Sequence, residues 1–290
     1  MESKRIIKSI RIAFAGISFS CLCLCCAVFC VPQTDALAGD NSDVGGGGDA
    51  VILPVIMYHA IYPGGVKTVN YSISINALIA DLDYIKENGY TTVLTQDLVN
   101  FTEGKSDLPD KPIMLTFDDG FYSMKSLVLP QLIKRDQRAV CAVVGKFIDK
   151  YALHNDKYGY LDMQDIKALA ESGHIEIASH TNDMHGAGGR KGAGRLSSES
   201  PQQYEQNFKA DITKLQDKLA GIGVEPAALA YPYGIRGKDN DRMLKELGFK
   251  SSFSCAEKFS KITRDPNCLF WLGRVNRDSR SAEYILKNYK

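Results

Sequence analysis

From residue 51 onward, short apolar runs alternate with longer amphipathic ones, and this alternation sets the expected order of elements. Val51 to Tyr58 is an apolar strand candidate. In Ile75 to Asn88, Leu78, Ile79, Leu82 and Ile85 recur at helical spacing until Gly89 stops the helix. Thr91 to Leu94, Pro112 to Phe117, Ala139 to Val144, Ile175 to Ala178 and Ala227 to Ala230 read as further strands, and Lys250 to Ser254 and Phe270 to Val275 as the last. Helical patterns lie between them. Met124 to Arg135 should kink or break at Pro130, Met163 to Glu171 has Asp162 as its N-cap, and Asn240 to Leu247 ends at Gly248. Ser200-Pro201-Gln202-Gln203 puts Ser at N-cap, Pro at N1 and Gln at N3, opening a long helix through about Leu219.

Repeated β-then-α order implies a parallel sheet with helices outside it. Seven or eight strands in one body of about 240 residues suit a distorted (β/α) barrel of about seven parallel strands better than two domains. A doubly wound open sheet is the alternative that periodicity leaves standing. Its glycine-rich nucleotide fingerprint is missing, because Tyr58-His59-Ala60 follows the first strand.

The N-terminus follows another pattern. Lys4, Arg5, Lys8 and Arg11 precede an uncharged apolar run from about Ile12 to Val31, then Pro32 and the small-x-small site Ala36-Leu37-Ala38. Residues 1–38 are therefore expected to be a secretory signal peptide or, uncleaved, an N-terminal membrane anchor. The basic residues hold the N-terminus inside and place the body on the extracellular face, secreted or membrane-attached. Gly39 to Ala50, GDNSDVGGGGDA, is a flexible linker to the folded body at 51–290. Cys21, Cys23, Cys25, Cys26 and Cys30 act as small hydrophobes in the apolar run. Cys141 should be buried, and Cys255 with Cys268 is the one plausible disulfide pair, which a fold this large does not need.

Composition narrows the partners. The chain has 35 Lys and Arg against 34 Asp and Glu, a net charge of +1, and 44% hydrophobic residues. It is neither disordered in composition nor basic enough for a dedicated nucleic-acid binder, so nucleic acid is not an expected partner. Gly186 to Gly194, GAGGRKGAG, lacks the Gly-Lys-Ser/Thr ending of a phosphate loop and reads as a mobile surface loop.

Polar residues cluster where chemistry is expected. Asp118 and Asp119 follow one strand, His180 another, Tyr233 a third and His59 the first, and in a parallel barrel all are C-terminal strand ends. His185 comes five residues after His180, a spacing that no single helix face supports, so a loop must bring the two together. Two histidines and a carboxylate are a hydrolytic zinc set, although two hydrogen-bonded surface imidazoles would look the same. Asp118-Asp119 can serve as a metal ligand beside a general base, or Asp-Asp-Gly can be an ordinary turn. His154 and His174 read as structural or surface residues, with His174 on the opposite face.

Thr116-Phe117-Asp118-Asp119-Gly120, Ser179-His180-Thr181 with His185, Ala230-Tyr231-Pro232-Tyr233-Gly234 and the opening Pro54-Val55-Ile56-Met57-Tyr58-His59 occur in an order that resembles the polysaccharide deacetylase family. These are the carbohydrate esterases of family 4 with the NodB-type homology domain. The spacing of five and the opening segment resemble the branch containing poly-N-acetylglucosamine deacetylases. The resemblance covers about Val51 to Asn288. It implies a metal-dependent hydrolase that removes N-acetyl groups from a bacterial extracellular or cell-wall polysaccharide, either poly-N-acetylglucosamine or peptidoglycan glycan. A carbohydrate-binding relative with little activity and an O-deacetylase are the alternatives. Asp119, His180 and His185 would hold a divalent ion, zinc foremost. Asp118 would be the general base on the attacking water, and the backbone N–H of Tyr233 would meet the oxyanion. His59 would protonate the leaving amine, because no histidine follows His185. Ala230 stands where the common third motif has an arginine that tethers the catalytic Asp, and Arg274 is the candidate substitute. Trp271 could stack on a sugar ring or belong to the core. Arg190, Lys191 and Arg195 could contact an anionic polymer or merely solvate their loop. A monomer is expected.

Overall fold

A computed structural model describes residues 50–186 and 190–289. The expected export segment at 1–38, its five cysteines and the expected linker before Ala50 lie outside the described residues, as do Ala187 to Gly189 of the glycine-rich stretch. Among the described residues, no helix is long and apolar enough to cross a membrane.

The elements run β1 (Val51–Leu53), β2 (Val55–Tyr58), β3 (Ala60–Tyr62), β4 (Ser72–Ser74), α1 (Ile75–Glu87), β5 (Thr91–Thr92), α2 (Thr95–Thr102) and β6 (Pro112–Phe117). Then come α3 (Leu129–Arg135), β7 (Ala139–Val143), α4 (Gly145–Tyr151), α5 (Met163–Glu171), β8 (Ile175–Ser179), α6 (Pro201–Ala220), β9 (Ala228–Ala230) and α7 (Asn240–Glu246). The chain ends with β10 (Ser251–Phe253), β11 (Ser260–Ile262), β12 (Val275–Asn276) and α8 (Ala282–Asn288).

Seven strands, all parallel, curl into an incomplete barrel in the order β10-β9-β8-β7-β6-β2-β12, and β5 pairs with the start of β6. A parallel bridge from Phe253 to Leu272 links the β10 edge to the segment leading into β12. The expected barrel with outer helices is therefore the observed fold. The apolar run at 51–58 divides at Pro54, which has no N–H for a ladder. Its first part, β1, pairs antiparallel with β11, and only β2 enters the barrel. Met124 to Arg135 divides as foreseen near Pro130, into a π-helical turn at Met124–Val128 and α3. The last expected strand shrinks to Val275–Asn276. The caps at Asp162 and Ser200 form as read, each with its reciprocal capping box.

Strand periodicity decides what faces the barrel interior. Ile56, Leu115, Phe117, Cys141, Val143 and Ile177 point outward into the layer shared with Leu78, Leu82, Leu132 and Ile166 of the helices. Val55, Met114, Val140, Ala142, Ala178, Ala228 and Ala230 form the inner set. The alanines are small, so the interior keeps room for one large side chain. Arg274 fills it and is 0% exposed.

Candidate functional site

The same parity that places Met114 and Thr116 inward carries on to Asp118, just past the end of β6. It likewise carries β2 to His59, β8 to His180 and the approach to β12 to Arg274. These four side chains converge over the barrel mouth because each is an inward position at or beside a strand's C-terminal end. Asp119 has the opposite parity. It joins the site because its backbone turns left-handed (φ 74°), and Gly120 follows suit (φ 73°). A Cβ at Gly120 would lie 3.2 Å from the Val143 side chain, so this tight second turn needs glycine.

Arg274 grips Asp118 with both arms. Its Nη1 donates to Asp118 Oδ1 at 2.7 Å and its Nη2 to Oδ2 at 2.9 Å. Two further bonds, from Nη1 to Thr116 Oγ1 at 3.2 Å and from Nε to the Ser254 carbonyl at 2.8 Å, fix the guanidinium plane. Burial alone would raise the Asp118 pKa, but the guanidinium outweighs it and holds the carboxyl below its ordinary range. Ala230 stands at the third-motif position, and it is Arg274, the candidate substitute, that contacts Asp118.

Asp119, His180 and His185 come together. His185 Nε2 lies 3.2 Å and His180 Nε2 3.6 Å from Asp119 Oδ1, and the three ligand atoms are all within 4.8 Å of one another. Two donors each about 2.0–2.1 Å from a tetrahedral ion are about 3.4 Å apart, so this spacing fits zinc-like coordination. The tautomer fits as well. His180 Nδ1 donates to the Ala230 carbonyl at 2.8 Å, which leaves Nε2 unprotonated and aimed at the cluster. Burial pushes the His180 pKa down to about 4, favouring the neutral ring a metal requires. Asp119 Oδ1 is buried and faces both imidazoles. Its carboxyl is held well below the ordinary range: burial opposes this, and His185 overcomes it.

The five-residue spacing is accommodated by a fully tied loop. Thr181 turns left-handed (φ 69°), and its Oγ1 accepts the Met184 N–H at 3.2 Å. The N–H groups of Asn182 and Asp183 both donate to the Asp211 carboxylate on α6, each at 2.8 Å. Gly145 N–H donates to the Thr181 carbonyl at 3.1 Å and Lys146 N–H to that of Asn182 at 2.8 Å. Asp211 was not legible as a site residue, since an Asp on a long polar helix carries no motif.

His59 lies half-buried at the β2 end, its Nδ1 buried without a hydrogen-bond partner. Tyr233 stands in a short turn at Pro232–Gly234 with φ 58°, its ring 4.8 Å from that of His185. The Lys191 ammonium lies 5.2 Å from the centre of the Tyr233 ring. Arg190 and Arg195 are instead bonded to Glu199. Trp271 packs 5.4 Å from Tyr231 and carries the Arg236 guanidinium 3.9 Å from its ring centre, which fits its core reading. His174 Nδ1 donates to the Gln137 carbonyl at the opposite end of the barrel. His154 stacks on Tyr122 and, with Asp162 and Asp165, forms a second His/Asp group. Those two carboxylates cap α5, and Lys125 pairs with Asp165, so both already have structural partners. Cys141 is buried, and no disulfide joins Cys255 to Cys268.

The chain is 28% identical over 222 residues to poly-beta-1,6-N-acetyl-D-glucosamine N-deacetylase of Escherichia coli K12, covering 69% of this chain and 33% of that protein. It thus spans about a third of the length of that relative. The enzyme of the same name from Staphylococcus aureus MRSA252 is 23% identical over 224 residues, 76% of this chain and 72% of that protein. Among solved structures, IcaB from Ammonifex degensii superposes with a TM-score of 0.63 at 26% identity, over 79% of this chain and 92% of that one. A de-N-acetylase from Aggregatibacter actinomycetemcomitans shares the fold with a TM-score of 0.68 at 23% identity, over 83% of this chain and 100% of that one. Residues 105–252, which carry Asp118, Asp119, both loop histidines and Tyr233, match the family described as polysaccharide deacetylase, and the chain belongs to that family.

Proposed function

We propose that this protein is a metal-dependent hydrolase that removes N-acetyl groups from N-acetylglucosamine units of a bacterial surface polysaccharide, with poly-N-acetylglucosamine the first candidate and peptidoglycan glycan the second. The observation that carries the proposal is the meeting of Asp119, His180 and His185 beside Asp118, which Arg274 keeps ionised. The relatives named as N-deacetylases support the substrate class.

Asp119, His180 and His185 would hold a divalent ion, for which zinc suits the donor set of two imidazoles and one carboxylate. When bound, such an ion supplies Lewis acidity that makes water a nucleophile at neutral pH and polarises the amide carbonyl. Asp118 accepts the proton of the attacking water, and Arg274 fixes the direction in which its carboxylate faces. The backbone N–H of Tyr233, in a left-handed turn, would be the donor to the developing oxyanion. His59 delivers the proton that lets the amine leave. Its buried, unpartnered Nδ1 supports a role beyond packing. The apolar run and basic flank of residues 1–38 support export, with the catalytic body secreted or held at the outer membrane surface of the cell by that segment.

The test is acetate release. Purified protein should free acetate from N-acetylglucosamine oligomers, lose this activity to a strong chelator, and regain it with added zinc. Release that continued undiminished after complete metal removal would overturn the mechanism.

A further inference from the structure

Tyr71 is the second left-handed tyrosine at the barrel mouth. It has φ 61°, is 43% exposed, and its ring centre lies 5.0 Å from that of His59. A bulky aromatic residue in the left-handed region is strained, and glycine at the same place would not be. Such strain persists only where the surroundings over-determine it, and it concentrates at functional sites. The surroundings here are specific. The Tyr71 carbonyl accepts the Ala60 N–H at 3.2 Å, and the Ser72 side chain both donates to the Val69 carbonyl and accepts its N–H, each at 2.8 Å. The adjoining β3 and β4 form a two-stranded parallel ladder from Ala60↔Ser72 to Tyr62↔Ser74. The segment is thereby built to hold an aromatic ring in open water beside His59.

The strand order gives this ring a direction. Along β9-β8-β7-β6-β2, the site spreads from Tyr233 and the two loop histidines, through the two aspartates, to His59 and Tyr71. Tyr71 therefore flanks the reacting position on the side away from Tyr233. A pyranose ring has an apolar face and a polar rim, and a tyrosine offers the matching apolar body and polar tip.

We infer that Tyr71 is a sugar-binding residue, the platform for the unit next to the N-acetylglucosamine being deacetylated, so that the site takes an extended glycan in preference to a short one. This inference rests on the deacetylase reading above.

Binding and turnover of the dimer and hexamer of N-acetylglucosamine should be compared for the protein, Tyr71→Gly and Tyr71→Phe, by calorimetry and acetate release. The hexamer should bind more tightly than the dimer. Tyr71→Gly should raise the hexamer Kd and KM about tenfold, a typical scale for a lost aromatic contact, with kcat held and the hexamer–dimer gap narrowed. Its Tm should be equal or higher, because the strain is relieved. Tyr71→Phe should keep the hexamer affinity. Unchanged hexamer affinity in Tyr71→Gly, or a Tm loss without any affinity loss, would overturn the inference. The parent reading fails separately: hexamer binding that depends on Tyr71, with no acetate released by the parent protein, would sink the deacetylase assignment alone.

Discussion

Replacing Arg274 by Met tests the centre of the design. The substitution keeps a long apolar side chain in the barrel interior but removes the cation. Asp118 is 3% exposed and receives two charge-assisted bonds from Arg274, so it would be left as an uncompensated buried carboxylate. Breaking a buried pair on one side costs about 3–5 kcal/mol. At roughly 2–4 °C per kcal/mol for a domain of this size, Tm should drop by about 6–20 °C at pH 7. The pH dependence has a definite sign. In the parent protein the folded-state Asp118 pKa lies below its unfolded value, so its contribution is fully present above about pH 4 and is lost as pH falls through the lower folded value. In Arg274→Met, burial loses its main opponent and the folded pKa should rise above the unfolded one. The variant's deficit should therefore be largest near neutrality and shrink towards pH 4 and below. Urea unfolding of both proteins across this range measures it. The double variant Asp118→Asn with Arg274→Met should recover part of the loss, because position 118 no longer carries an unpaired buried charge. A deficit under about 1 kcal/mol at pH 7, or one that does not vary with pH, would refute the reasoning.

Three further outcomes are expected. Asp118→Asn should abolish acetate release while metal content, read by atomic emission, stays near that of the parent protein; loss of the metal would reassign Asp118 as a ligand. Asp211→Ala should weaken metal binding about 10- to 100-fold in a chelator competition, as removal of a ligand-orienting group typically does; unchanged affinity would show that the histidine loop holds its shape without the carboxylate. His59→Ala should lower kcat by about 10²–10⁴-fold with the metal retained, the range for general acid–base catalysis, and an unchanged rate would remove it from proton transfer.

The barrel was legible because its signal is strong and local. Inner strands such as Pro112–Phe117 are apolar throughout, as strands covered on both faces must be, and helices such as Met163–Glu171 carry caps. The short elements were not. Strands β3 and β4 are three residues each, and α2 starts after Leu94, which has no capping oxygen, although Asp97 at N3 accepts the Leu94 N–H at 2.7 Å, so neither periodicity nor the usual cap residue marks them. The candidate metal ligands were readable as residue types at or just after strand ends, and Arg274 as a replacement for an absent arginine. Asp211 and Tyr71 were not readable. Their roles depend on how α6 lies across the histidine loop and how the 63–71 loop returns to Ala60, relations that only the folded chain defines.

The backbone adds an argument that no motif contains. Among the described residues, six non-glycine positions have positive φ: Tyr71, Asp119, Asp136, Thr181, Tyr233 and Trp271. Asp136 ends α3, where a left-handed C-cap is ordinary. Four of the others, Tyr71, Asp119, Thr181 and Tyr233, sit at or beside the candidate ligands, the proposed acid and the proposed oxyanion donor. Each such residue costs roughly 1–2 kcal/mol relative to right-handed backbone, less for Asp, and a β-branched Thr is among the least tolerant. A fold under selection for stability alone would place glycine at these points, as it does at Gly89, Gly104 and Gly248. The side chains are therefore retained against a local penalty. The rigid elements that offset it are the ones already found around the site: Arg274 through the barrel, Asp211 across the loop, and the β3–β4 ladder beneath Tyr71. Substituting glycine for the strained residues should accordingly separate the two demands, raising stability where the side chain is removed and lowering the chemistry that the side chain serves.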